Sequence, residues 1–460
     1  MAKRTKITDV KTPDLRSVRK FASSLTGDVI VPDDERYRNA RRVWNHAVDV
    51  HPALIARCAN TQDVVRAVDF ARNHDLITAI RSGGHSFAGH GVCEGGLVID
   101  LSSMKRAEID PLCKLITIET GVIAGELDCL TQAFKLAVPL GSCPSVGVAG
   151  YSLGGGEGSL TTSFGYGCDS ISRVELVTAD GLVHIASAHE NTDLFWAIRG
   201  AGANFGVATS LEFQLHPIET VVSGHLKYPL RNAKRVLRFL GDYVPTIPHE
   251  LALTAAVLPY PGERMLDVAV VWSGDEKIGE RVLRPLRTFS KPFEDTIKIN
   301  AYLEEQRSGT GTPADGDYSS HRKSGHFEQL TEETIDVIAQ YTHSAPNESS
   351  GITMIYWHGP WCCGSHDNAF GFRVIGFEYW IHAYWKKASD RKRSWEWVEQ
   401  FYAAMKPLST AAVYVNGLEN EGDDRVTSAY GNKYERLTTI KRKYDPDNFF
   451  RVNQNIKPAL

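Results

Sequence analysis

The sequence predicts an α+β fold in more than one domain, on three observations. At 460 residues the chain exceeds what one hydrophobic core usually serves. Up to about residue 216, short strand-like runs mix with amphipathic helical ones, and glycine-rich segments cross between them. From about Thr220 to Asn416 the texture changes, with polar loops such as Ser308 to Ser320.

The elements follow in order. Thr61-Gln62-Asp63 opens an amphipathic helix carrying Val64, Val65, Val68, Phe70 and Ala71, with Thr61 as its N-cap. Leu76 to Ile80 reads as a strand that delivers Arg81 into a glycine loop, and Leu97 to Leu101 and Leu115 to Glu119 as further short strands. Val174 to Thr178 and Leu182 to Ala186 flank Asp180-Gly181, a hairpin signal. Asn191 to Ile198 reads as helix, and Gly206 to Leu215 as a strand alternating through Val207, Thr209, Leu211 and Phe213. His216-Pro217 closes this unit. Beyond it, a helix is predicted near Asn232 to Tyr243 and a strand over Leu266 to Trp272. Near the C-terminus, Asn432 and Glu435 have the spacing of an N-cap and its N3 partner. Tyr434, Leu437, Ile440, Lys441 and Tyr444 then recur at helical spacing until Asp445-Pro446 stops the helix.

Composition excludes several classes. Hydrophobic residues make up 42% and the formal net charge is −4, which gives no reason to expect nucleic acid or an anionic membrane as partner. No run approaches eighteen apolar residues, so no membrane span is predicted. The start, Met1 to Lys6, is basic, but Asp9 to Lys20 holds no apolar h-region; a cytoplasmic location is expected. The eight cysteines are scattered without a CxxC, which fits a reduced population. His85 and His90 sit five apart on a glycine-rich loop, not on one helical face, so no metal is expected.

Two segments carry the chemistry. They are Arg81-Ser82-Gly83-Gly84-His85-Ser86 and Gly141-Ser142-Cys143-Pro144-Ser145-Val146-Gly147, with Gly150 just beyond. Each puts one nucleophilic side chain into a run of glycines, where backbone can lie flat against a large planar ligand. An imidazole in one and a thiol in the other look like two covalent tethers on a single cofactor. Leu153-Gly154-Gly155-Gly156-Glu157-Gly158 offers bare amides of the kind a pyrophosphate needs. Gly200 to Gly206 follows a helix and precedes a strand, the reverse of a nicotinamide-dinucleotide fingerprint, so that site is not predicted.

On these residues the chain resembles the berberine-bridge-enzyme-like branch of the vanillyl-alcohol-oxidase superfamily. The likeness runs from Arg42-Val43-Trp44-Asn45 to Asn453-Gln454-Asn455-Ile456 and is thinnest between about Ser223 and Thr410. In that family the histidine of R-S-G-G-H bonds the 8-methyl carbon of FAD, and the cysteine of C-P-[ST]-V-G bonds ring position 6. The resemblance implies a PCMH-type FAD-binding domain over 1–219 (core about 46–219) made of two α/β subdomains. It implies an inserted substrate domain over 220–416, an antiparallel sheet covered by helices, and a berberine-bridge-like segment over 417–460 that folds back onto the first domain. FAD is then bonded to His85 and Cys143, a double tether that goes with an open cleft. Around it the resemblance places Arg81, Ser82, Gly83, Gly84, Ser86, Gly141, Val146, Gly147, Gly150, Gly154, Gly155, Gly158, Val207 and Asn432.

The family's residue two past the proline lies over the oxygen-reactive carbon, and valine there goes with dioxygen access; Val146 implies an oxidase that releases hydrogen peroxide. Sugar-oxidising relatives carry a tyrosine base after an asparagine, but in Tyr414-Val415-Asn416-Gly417 that slot is glycine. Glu157 is the leading replacement, because a carboxyl beside an apolar ring titrates near neutrality; a structural salt bridge is its equal competitor. Tyr151 stands where many relatives have histidine. His358 and Tyr430 are further polar candidates among aromatic residues, while the alternation of Phe377, Tyr379 and Ile381 reads as sheet core. The implied substrate is a small molecule, a bulky alcohol, hemiacetal or amine. A dehydrogenase or oxidative cyclase, an oligosaccharide oxidase, and a flavin-loaded binding protein stay open as alternatives, as does monomer against dimer.

Overall fold

The computed structural model describes residues 13–260, 263–308, 318–364 and 366–460. The readings on Met1 to Lys6, and most of the polar loop between Ser308 and Ser320, lie outside the described residues. Among the described residues no helix is long and apolar enough to cross a membrane. All eight cysteines are unpaired.

The N-terminal part holds two sheets. The first orders Asp28–Ile30, Leu54–Arg57, Leu97–Asp100 and Thr78–Arg81, with the last three strands parallel. Their near-continuous burial matches the apolar runs of parallel strands covered on both faces. The helix Thr61–Asn73 crosses between two of them and buries Val64, Ala67, Val68 and Ala71. Its N-cap is Asn60, one residue before the predicted Thr61. Asn60 is extended and its side chain accepts from the Asp63 amide, whereas the Thr61 hydroxyl donates to Glu175 Oε1 at 2.7 Å.

The second sheet is antiparallel, in the order Ala107–Asp110, Leu115–Glu119, Val207–Gln214, Ile171–Val177 and Val183–Ser187. The Asp-Gly hairpin forms as predicted: Asp180 accepts from the Thr178 hydroxyl and the Leu182 amide, and Gly181 takes φ +84°.

Residues from Thr220 onward build a larger antiparallel sheet. Its path runs Glu294–Asp295, Thr220–Pro229, Glu263–Trp272, Leu251–Tyr260, Gly351–Trp357, Gly376–Trp385 and Ser319–Phe327, and Lys298–Ala301 also pairs with the second of these. The helices Ala233–Tyr243, Glu276–Thr288, Glu332–His343 and Arg391–Met405 cover one face, where Leu240, Leu283, Ile338 and Phe401 meet Phe377, Tyr379, Ile381 and Ala383 of the sheet. A strand's period of two turns Glu378, Trp380, His382 and Tyr384 to the opposite face.

The C-terminal helix Tyr434–Tyr444 returns to the N-terminal part, burying Leu437 and Ile440 in the core that contains Leu153 and Trp196. Asn432 does not cap it: Gly431–Lys433 forms a 3-10 turn, Lys433 is the boundary residue, and no side-chain cap bond forms. Past its end, Asp445 accepts from the buried Lys441 ammonium at 2.6 Å and from the amides of Phe449 and Phe450.

Candidate active site

The two glycine segments lie against each other. A Cβ on Gly147 would sit 2.3 Å from the Gly83 nitrogen and 2.3 Å from Ser82 Oγ, and one on Gly83 would sit 2.2 Å from the Gly147 nitrogen. Only glycine permits this approach. Behind the contact, Ser82 Oγ donates to the Thr120 carbonyl at 2.6 Å, and Ile123 bridges to Gly147. Arg81 is committed to structure: its buried guanidinium binds Asp100 at 2.8 Å and the Ala40 carbonyl, pinning the root of the first loop. Ser86 holds the loop's far end through the Gly89 and His90 amides.

His85 and Cys143 project from these touching loops. His85 stacks on Trp44 at 5.6 Å between centroids. Burial, with the Arg322 charge second, lowers its pKa to about 4, so the ring stays neutral and keeps a nucleophilic lone pair. Cys143 is half-buried, with Sγ 3.7 Å from Ser145 Oγ. Gly150 is exposed, and no heavy atom lies within 4 Å of where a Cβ would stand. Two nucleophiles on adjoining loops beside an uncrowded glycine backbone fit a planar cofactor held at one edge.

The glycines of the Leu153 to Gly158 loop answer to protein packing. A Cβ on Gly154 would meet Asn416 Oδ1 at 2.1 Å, and one on Gly158 would meet the Leu140 carbonyl at 2.1 Å. Gly155, at φ +126°, abuts Phe370 and Tyr414. The amides of Gly155, Gly156 and Gly158 donate to the Ser152 carbonyl, the Tyr414 phenol and Thr161 Oγ1. These three amides are engaged rather than bare, so the anion-nest reading of this loop does not hold for them.

The same loop presents Glu157 to the large sheet. Glu157 is 8% exposed and Glu378 1%, and their carboxyls lie within hydrogen-bond reach of each other. Glu378 Oε2 accepts from the Trp357 indole at 2.8 Å, and the Trp380 indole also faces the Glu378 carboxyl. Burial raises both pKa values, and the Glu378 charge raises Glu157 further. The two carboxyls therefore resist ionising together. Tyr151 supports the loop by donating its phenol to the Glu157 carbonyl at 2.8 Å, beside Gly141.

Other expected residues lie apart. His358 bonds the Leu251 carbonyl at 2.9 Å and stacks on Tyr356. Tyr430 is buried in the N-terminal core against Tyr434. Among the described residues neither shares a hydrogen bond or ring contact with Glu157, Tyr151 or His85. Val207 is fully buried at the start of its strand, and Asn432 is exposed.

Residues 52–187 match the family model described as "FAD binding domain", and 413–457 the one described as "Berberine and berberine like". An FAD-linked oxidoreductase of Dictyostelium discoideum is 31% identical over 96% of this chain and 97% of its own. The (R)-6-hydroxynicotine oxidase of Paenarthrobacter nicotinovorans is 30% identical over 95% and 97%. The chain belongs to the berberine-bridge-enzyme-like FAD-linked oxidoreductases. The crystal structure of 6-hydroxy-D-nicotine oxidase from Arthrobacter nicotinovorans superposes with a TM-score of 0.88, at 29% identity over 95% of this chain and 98% of that one.

As a berberine-bridge-like enzyme the chain binds FAD and catalyses an oxidoreduction. At Gly417, where the resemblance puts the tyrosine of sugar-oxidising relatives, a Cβ would lie 2.6 Å from Ser324 Oγ and 3.2 Å from the Trp380 ring. A side chain in that slot would have to displace the Ser324 hydroxyl. Glu378 was missed from sequence, although a glutamate inside the otherwise uncharged, wholly buried strand Gly376–Trp385 is the signal that could have found it.

Proposed function

We propose that this enzyme is an oxidase that holds FAD through His85 and Cys143 and oxidises a C–H bond next to a hydroxyl or amine on a small ringed substrate, with dioxygen as acceptor. When bound, FAD supplies the two-electron redox chemistry. The closely apposed Gly83 and Gly147 place the tether-bearing loops side by side, and Val146 follows Cys143 on the second loop.

The observation that carries the reading is the carboxyl pair. Trp357 donates to Glu378 and so favours its ionised form, which leaves the shared proton on Glu157. Glu378 is then the base that takes the substrate O–H or N–H proton, and Glu157 is its hydrogen-bond donor rather than the base itself. Trp44, Phe87, Trp380 and Tyr384 surround this side of the sheet with rings, which suits an aromatic substrate. The relative named for 6-hydroxynicotine supports a substrate of that shape. An oligosaccharide oxidase is disfavoured because Gly417 stands where sugar-oxidising relatives carry their tyrosine base.

Anaerobic mixing of the yellow holoenzyme with alcohols, sugars and cyclic amines tests the reading. Bleaching of the flavin by a ringed alcohol or amine, followed by recolouring and peroxide release in air, is the expected result. Bleaching without recolouring in air makes the protein a dehydrogenase or cyclase. No bleaching by any probe leaves a flavin-loaded binding protein.

A further inference from the structure

Among the described residues, Arg322 is a buried cation without a counter-ion. It is 5% exposed, yet among the described residues no carboxylate pairs with its guanidinium. One N–H donates to the Tyr384 phenol at 2.9 Å, and Nε has no partner. The guanidinium carbon lies 3.4 Å over the Phe87 ring, with the rings of Trp44, Trp380 and Tyr384 at 5.6–5.8 Å. Rings can hold a guanidinium flat and ordered, but they do not neutralise it, and a buried charge left unpaired is costly.

The neighbouring titratable groups do not supply the missing charge. Cross-strand, Arg322 is opposite His382, whose pKa falls to about 3 through burial and the Arg322 charge. His85 is likewise neutral. Arg264 adds a second positive charge near His382, its own N–H groups taken by the carbonyls of Ser350 and Asn347. Glu419 reaches this strand, but its oxygens accept from the Arg322 backbone amide and from His321.

Arg322 shares its sheet face with the carboxyl pair. Its cross-strand partner His382 is four residues along from Glu378, about 13 Å at the rise of an extended strand. Resting on the oxidase reading above, we propose that Arg322 is the anchor for a carboxylate or similarly acidic group on the substrate, which lies along this face with its reacting carbon near Glu378. The substrate class is thus a ringed alcohol or amine that also bears an acidic group.

Titration of the holoenzyme with benzoate and with the neutral isostere benzamide, by calorimetry and by the flavin spectrum, tests this. Benzoate is expected to bind at least about tenfold tighter, as a charge-assisted hydrogen bond to a buried guanidinium implies. In Arg322→Gln the preference should vanish while benzamide affinity holds, and Arg322→Lys should retain part of it. Equal binding of the two probes to the wild type, or a preference that survives in Arg322→Gln, overturns the proposal. The wild-type comparison decides by itself should the variants fail to fold. Because binding is read without turnover, a carboxylate preference in a protein that oxidises nothing would sink the oxidase reading alone, and turnover without the preference would sink only the anchor.

Discussion

Glu157 and Glu378 meet carboxyl to carboxyl where the glycine loop of the FAD-binding part touches the large sheet, both buried. Two carboxyls at hydrogen-bond distance cannot both ionise readily, so the contact is stable with one proton and unstable with none.

The two members should respond unequally to substitution. Glu378→Gln removes the base and should slow anaerobic flavin reduction by about 10²–10⁴-fold. Glu157→Gln keeps a donor to Glu378 and should slow it by less than about tenfold. Stopped-flow reduction of both variants checks this; the opposite asymmetry would make Glu157 the base.

The pair also sets a pH trend in stability. Both pKa values are raised by burial first. Below the unfolded value of about 4.3 both states hold the protons, and the pair's contribution is fully present. As pH rises the unfolded chain releases protons that the folded chain keeps, so stability falls until the folded pKa is passed. The slope of denaturant midpoint against pH between pH 4 and 8 should therefore be more negative in the wild type than in Glu157→Gln, whatever the histidines contribute to both. Parallel slopes would contradict a shared proton.

Gly147→Ala places a methyl against the Gly83 nitrogen and Ser82 Oγ, which forces the two loops apart. The folded protein should retain less acid-stable flavin, read as fluorescence of the denatured band on a gel. Undiminished fluorescence would show that loop contact is not needed for attachment.

Asp100→Ala leaves the Arg81 guanidinium, itself 7% exposed, without its carboxylate. Burial raises the Asp100 pKa, but the Arg81 charge and hydrogen bond outweigh it and the net shift is downward. Loss of one partner of such a pair costs about 3–5 kcal/mol. Urea unfolding should show a loss of that order, and a loss below about 1 kcal/mol would mean that the pair is solvated.

Local signals read correctly where chemistry and conformation coincide within a few residues. Asp180-Gly181 specifies its own hairpin, and the alternation of Phe377, Tyr379 and Ile381 marks the helix-covered face. The caps misread by one residue, at Asn60 and Lys433: Asn60 and Thr61 are both able caps and the Thr61 hydroxyl goes to Glu175 instead, while the 3-10 turn Gly431–Lys433 leaves the last helix without a side-chain cap. Glu157 stood out in sequence as a charge among glycines. Its partner did not, because which strand faces that loop depends on long-range strand order, and no local pattern brings Glu378 or Arg322 to it.

The double tether is the central claim, and acid denaturation of the purified yellow protein followed by mass spectrometry of its tryptic peptides tests it most directly. Flavin mass on both the His85 and the Cys143 peptide is the result expected from two nucleophiles on touching loops. Flavin on the His85 peptide alone would return Cys143 to a structural thiol, and flavin released wholly into the supernatant would contradict the account.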